Sequence, residues 1–250
     1  MRTPADIVDF LIGFSGRQAT DVIEVPGGVA VRHREFPSSY NNNRVLVRGP
    51  VDAGELLAAV DEVMADLDYR VIVFLDDEAG RAFAPAAVEA GYTPHELVPM
   101  RFEGAVPPAP SVRVESLKLP MMIEALRRNW RADEPELAAD EVEQLATRIA
   151  VRRQGADEVH FLGVMADGHP VAWADLYLHQ GIAQIEYVLT VPGHQGRGYS
   201  TAIMREALRR ARDCDTVFLF ADGEDWPQNW YGRLGFTPVG RFHEYVRTAT

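Results

Sequence analysis

One cysteine, Cys214, stands in 250 residues, a scarcity that excludes an internal disulfide framework and any zinc site built from cysteines. The seven histidines show no metal-ligand spacing, so no metal is expected. Long apolar runs are missing too. None approaches the roughly 20 residues that a membrane span needs, and the opening Met1-Arg2-Thr3-Pro4-Ala5-Asp6 has no secretory hydrophobic region. A cytoplasmic protein with no membrane partner is the expectation. Basic charge is also short, 25 Lys+Arg against 37 Asp+Glu, for a net charge of −12. That balance argues against a broad nucleic-acid surface, which needs clustered basic residues. The deficit is uneven. Residues 1–105 hold 9 Arg against 17 acids and residues 106–250 hold 16 Lys+Arg against 20, so the first part is the poorer place for a polyanionic cofactor.

What is present is an ordinary soluble composition, 47% hydrophobic and 25% charged, enough for one or two domains. The stretch Glu103 to Ser111 carries Pro107, Pro108 and Pro110, which deny the backbone both helix and sheet ladder. The expected division is therefore a first domain over 1–104, a linker over 105–110 and a second domain over 111–250. Self-comparison supports it. A shift of 144 positions lays Val73-Phe74-Leu75 on Val217-Phe218-Leu219, Gly91-Tyr92-Thr93-Pro94 on Gly235-Phe236-Thr237-Pro238, and Gly54 on Gly198. A strand, a turn and a loop glycine at one offset read as two diverged copies of one fold.

In the second half the apolar spacing predicts a short strand at 112–114, helices over 120–130 and 135–152, and strands over 159–165, 171–178 and 182–191. Asp167-Gly168 and Gln180-Gly181 are hairpin turn signals between those strands. A helix to about Arg212 and a strand over 216–220 follow, making a βαβ unit with a parallel pair. The expected class is a mixed α/β sheet: an antiparallel meander feeding one parallel pair, with flanking helices.

Between the last meander strand and the helix runs Gln195-Gly196-Arg197-Gly198-Tyr199-Ser200. Its glycines let successive N–H groups converge, and the helix adds its positive end, so the loop suits a pyrophosphate. It is not a Walker loop and not a dinucleotide fingerprint. The plainer alternative is a tight glycine turn that starts a helix.

Val191-Pro192 followed by Gln195-x-x-Gly198-x-Ser200 and a helix resembles the acyl-CoA loop of the GNAT superfamily of N-acetyltransferases. The later Trp230-Tyr231-Gly232-Arg233-Leu234-Gly235-Phe236 is similar to that family's Y-x-x-L-G-F segment. The likeness covers about 111–250, and Ser200 departs from the family's usual Gly or Ala. It implies that main-chain groups from Gln195 to Ser200 hold the pyrophosphate of acetyl-CoA as acyl-donor cosubstrate. It also implies that groups near Leu189 and Val191 bond the pantetheine arm, and that Tyr231 protonates the leaving thiolate. A phenol of pKa about 10 and a thiol of about 8.5 can share a proton without large penalty.

An attacking amine must lose a proton, and Glu186, a lone acid in an apolar strand, is the candidate base, with Asp175 in reserve. Strand alternation leaves its face open, because the family's fourth strand is often bulged. Asp133, Glu134, Glu136, Asp140, Glu141 and Glu143 surround the first two helices, either drawing a cationic acceptor or forming a solvated face. Trp226 and Trp230 are candidates for the cleft or the core. Cys214, between Asp213 and Asp215, sits where thiolate is disfavoured, against a covalent acyl-enzyme. The expected function is transfer of acetyl from acetyl-CoA to a primary amine by direct attack in a ternary complex. The alternative is a non-catalytic acyl-CoA-binding or regulatory protein. In the first copy the shift puts Asp52 on Gly196, Glu55 on Tyr199, Ala87 on Tyr231 and Asn42 on Glu186, so that copy is expected to bind no coenzyme.

Overall fold

The computed structural model describes residues 3–223 and 227–248. Two compact units divide the chain, Met1–Arg101 with Phe220–Thr250, and Phe102–Leu219. The first boundary lies beside the proline-rich linker, whose residues 103–114 form no helix or strand. The second boundary, inside the segment 111–250, has no counterpart in the sequence division.

The first unit opens with α1 (Ala5–Gln18), whose Ile7, Phe10, Leu11 and Phe14 form a buried stripe at helical spacing. β1 (Asp21–Val25), β2 (Gly28–Arg32), β3 (Arg44–Val47), α2 (Ala53–Val63), β4 (Tyr69–Phe74), α3 (Asp77–Glu89) and β5 (Thr93–Phe102) follow. The second unit comprises β6 (Glu115–Ser116), α4 (Leu119–Asp133), α5 (Ala139–Thr147), a 3-10 turn Arg148–Val151, α6 (Arg152–Gly155), β7 (Glu158–Ala166), β8 (His169–His179), β9 (Ile182–Thr190), α7 (Tyr199–Arg210) and the start of β10 (Thr216–Asp222). The chain then returns to the first unit with α8 (Pro227–Arg233), β11 (Phe236–Pro238) and β12 (Phe242–Thr248).

The repeat is visible as a shared order, three strands, helix, strand, helix, strand, running from β1 to β5 and again from β7 to β11. Gly91 and Gly235, related by the 144-residue shift, both stand in the left-handed region, at φ +83° and +98°. In the second unit β10, β9, β8, β7 and β6 lie side by side in that order. β7–β8 and β8–β9 are antiparallel and β9–β10 is parallel, the expected meander and crossover. Both hairpins turn on two residues of positive φ, Asp167-Gly168 and Gln180-Gly181, which matches the right-handed twist of the strands they join. The predicted long helix over 135–152 is instead α5, the 3-10 turn and α6, and the predicted strand at 112–114 is displaced to β6. Met122, Ala125 and Leu126 of α4 pack with Ala146, Ile149, Phe161 and Trp173 into the core of this unit. Full burial of each larger side chain contributes roughly 1.5–3 kcal/mol.

β12 explains the second boundary. It is a central strand of the first unit, antiparallel to β4 from His243↔Phe74 to Thr248↔Tyr69 and to β5 from Phe242↔Leu97 to Val246↔Thr93. Tyr245 is buried there, edge-on to Phe74 and Phe83, and its hydroxyl donates to the Gly80 carbonyl at 2.7 Å.

Candidate functional site

The loop Val191 to Gly198 connects β9 to α7, and two features leave its end open to an anion. Gly196 and Gly198 take φ of +74° and +78°, where a side chain is strained, and a Cβ placed on either meets no atom within 4 Å. Gly198 is also the N-cap of α7, and no side chain caps that helix. The first-turn N–H groups of α7 therefore point outward without an intrahelical or capping partner. Side chains brace the loop from behind: Arg197 Nη2 donates to the Gly193 carbonyl at 3.1 Å and Gln195 Nε2 reaches the Thr190 carbonyl at 3.4 Å.

The corresponding helix of the first unit is closed. Asp52, aligned with Gly196, is the N-cap of α2, and its Oδ1 accepts from the Glu55 N–H at 2.9 Å. A carboxylate occupies the place an anion would need.

The strands differ in the same sense. β9 is bulged. Trp173 of β8 faces Leu189 and Asp175 faces Glu186, so Tyr187 and Val188 together oppose Ala174, and Tyr187 stands at φ +56°. β10 pairs with β9 only from Thr216↔Ile182 to Phe218↔Gln184, which leaves residues 185–190 beyond that ladder. In the first unit β2 and β3 pair without a register shift. There β3 and β4 stay paired to Val47↔Phe74, and the Leu75 N–H donates to the Val47 carbonyl at 2.9 Å.

Beyond the bulge the peptide groups of β9 divide between its two edges. Val191 gives its N–H to the Val171 carbonyl at 3.0 Å, and Leu189, two residues back, faces β8 opposite Trp173. Alternation turns the main-chain groups of Thr190, between them, to the other edge, where its carbonyl accepts from Gln195 Nε2.

Glu186 is half-buried, and Gln184 Nε2 donates to its Oε2 at 3.2 Å. Asp175, the reserve base, is fully buried; its Oδ2 accepts from Arg152 Nη1 and from the Tyr177 hydroxyl, the latter at 2.8 Å. Burial pushes its carboxyl above the usual range, against the opposing pull of Arg152. Asp175 is thus the counter-ion of a buried arginine rather than a group exposed to an amine. Arg148, also buried, is pushed down to about 10 by burial, with the neighbouring Arg152 charge adding and Glu186 opposing. Sequence reasoning missed both arginines; a basic residue every fourth position in an apolar helical stretch was the available signal.

Tyr231 lies on α8 in the first unit, 8% exposed, with its ring 4.9 Å from Trp230 and 6.0 Å from Phe236. Burial pushes its phenol up to about 12. Trp226 lies outside the described residues. Three of the acids around α4 and α5 have local tasks: Glu143 pairs with Arg127 at 2.8 Å, Glu141 caps α5 through the Ala138 N–H, and Asp133 accepts from Asn129. Cys214 is half-buried and its thiol is raised by burial and by Asp213 and Asp215. Among the described residues, no three His, Cys, Asp or Glu side chains form a metal-holding group, and no helix is long and apolar enough to cross a membrane.

Comparison with known proteins places this arrangement. Residues 119–236 match the acetyltransferase (GNAT) family model. A conserved protein of unknown function from Staphylococcus epidermidis superposes with a TM-score of 0.73 at 16% identity, over 91% of this chain and 94% of that one. A GCN5-related N-acetyltransferase from Kribbella flavida gives 0.66 at 20% identity, over 98% and 96%. A tandem GNAT protein from the clavulanic acid biosynthesis pathway gives 0.55 at 15% identity, over 98% and 96%. No curated protein matches the chain in sequence. Residues 119–236 are thus similar to the GNAT family of acetyltransferases, and the chain has the fold of two-domain GNAT proteins.

Proposed function

We propose that the protein transfers the acetyl group of acetyl-CoA to a primary amine of a small molecule or peptide, by direct attack in a ternary complex. The observation that carries this reading is the uncapped start of α7 behind Gly196 and Gly198, beside a β9 edge that runs past its ladder with β10. The N–H groups of the first turn of α7 hold the pyrophosphate, and Gln195, Gly196, Arg197, Gly198, Tyr199 and Ser200 shape that cradle. Main-chain groups near Leu189 and Val191 bond the pantetheine arm, and an N–H there polarises the thioester carbonyl.

Glu186 takes the proton that the acceptor ammonium must lose, directly or through one water, and the freed nitrogen lone pair forms the new C–N bond. As the C–S bond breaks, Tyr231 gives its phenolic proton to the departing thiolate, and the second proton released by the acetylated nitrogen passes back to the phenolate, directly or through water. A phenol raised to about 12 stays protonated throughout the neutral range, and a thiolate in equally dry surroundings is raised as well, which keeps the transfer balanced. The first copy, capped by Asp52, takes no part in coenzyme binding. Cytoplasmic location accords with the composition.

The test is release of free thiol from acetyl-CoA in the presence of a panel of amines. Amine-dependent release, with an acetylated amine as product, supports the reading. Tight coenzyme binding with no release on any amine favours a non-catalytic acyl-CoA-binding protein.

A further inference from the structure

On β9, Gln184 and Glu186 lie on one face of the sheet, opposite Tyr177 and Asp175 of β8. Gln184 is the last residue of β9 to pair with β10, at the rung Phe218↔Gln184, so it stands where the two strands part. It is 3% exposed, and a buried amide costs free energy unless both of its ends are paired. Only one end is paired here. Nε2 donates to Glu186 Oε2 at 3.2 Å, while Oε1 is buried without a hydrogen-bond partner among the described residues.

The first unit shows what the fold itself asks of this rung. Phe74, which the 144-residue shift lays on Phe218, faces Val47 at the same end of the β3–β4 ladder. Val47 is fully buried, and two residues further on Gly49 stands where β9 carries Glu186. An apolar side chain therefore fills the rung without polar cost, and the amide occurs only in the copy that has the carboxylate. A buried polar group that the fold does not need points to the site beside it.

We propose that Gln184 is a positioning residue for the base: its Nε2–H holds Oε2 of Glu186, which turns Oε1 towards the acceptor amine. The inference rests on the reading of Glu186 as the base of acetyl transfer. The titratable and charged groups that face Glu186 are Asp175 and Tyr177 of β8, Arg152 of α6 and Arg148 of the 3-10 turn. Gln184 adds a donor beside them without adding a charge, so the carboxylate is oriented while the balance of the buried ions stays as it is.

The experiment uses the full chain with Gln184→Met, which keeps the length of the side chain and removes the donor, and Glu186→Gln as the control for the base. Gln184→Val, which copies the rung of the first unit, replaces the first variant if that one does not fold. The expected result for Gln184→Met is a kcat about 10-fold lower, with KM for acetyl-CoA unchanged. The acid limb of its kcat/KM profile should move to higher pH, because the charged carboxylate has lost a donor. Its urea midpoint should equal or exceed that of the natural chain, because apolar atoms replace a half-paired buried amide. A fall in rate that follows a fall in urea midpoint, with the pH profile unmoved, would make Gln184 a packing residue and overturn the inference. Unchanged kcat and pH profile in Gln184→Met, with Glu186→Gln inactive, would overturn the inference and leave Glu186 as the base. Full activity of Glu186→Gln would overturn the base and the inference together, and so would a natural chain that acetylates no amine.

Discussion

Ser200 Oγ lies 2.7 Å from Thr190 Oγ, a hydroxyl pair that ties the first turn of α7 to the last residue of β9. Thr190 is also the residue whose main chain faces the free strand edge, so one contact sets the helix start against that edge. The departure from Gly or Ala at position 200 thus acquires a physical role. Ser200→Ala should cost about 1 kcal/mol of stability, the net worth of an ordinary hydrogen bond, and change acetyl-CoA affinity less than threefold or so. Denaturant melts and calorimetry together check it; a large loss of affinity would mean that the hydroxyl itself holds the coenzyme.

Gly198→Val should abolish measurable acetyl-CoA binding. The side chain would meet a positive φ and project into the open space in front of α7. Calorimetric titration of the natural chain should give one site, lost in this variant. A second site that survives the change would show that the first copy, despite the Asp52 cap on α2, binds coenzyme after all.

Tyr231→Phe should lower turnover by roughly 100-fold or more with coenzyme affinity nearly intact, as expected when a general acid is removed. Because burial holds the phenol at about 12, its ionisation should impose no fall in rate until pH approaches that value. Unchanged single-turnover rates would reduce Tyr231 to packing against Trp230 and Phe236.

Asp175→Asn should destabilise the protein by about 3–5 kcal/mol, because it removes the counter-ion of a buried arginine. Urea melts measure the loss. A cost below about 1 kcal/mol would show that the Arg152 charge is satisfied elsewhere.

Residues 1–104 made alone should fail to melt cooperatively, since β12 supplies the strand between β4 and β5. Adding a peptide spanning 239–250 to that fragment should restore structure seen by circular dichroism. A cooperative melt of 1–104 by itself would mean that β4 and β5 can close on each other.

Much of this protein is local and could be read from the chain. Hairpin turns follow from Asp167-Gly168 and Gln180-Gly181, because few residues tolerate two successive positive φ angles. The face of α7 that buries Ile203, Met204, Ala207 and Leu208 follows from helical spacing. The glycine cradle and the repeat are likewise patterns of residue type at fixed spacing. Tertiary structure decided the rest. Which strands flank β12 depends on hydrogen-bond partners more than 140 residues away, and a strand's sequence carries no address. The edge that each peptide group of β9 faces depends on a bulge at Tyr187, where a non-glycine residue holds a conformation its type disfavours. The pairing of Arg152 with Asp175 joins two helically and strand-placed residues that only packing brings together. Periodicity reports which side of an element is dry; it does not report what lies across from it, because that is fixed by the sum of many weak contacts distant in the chain.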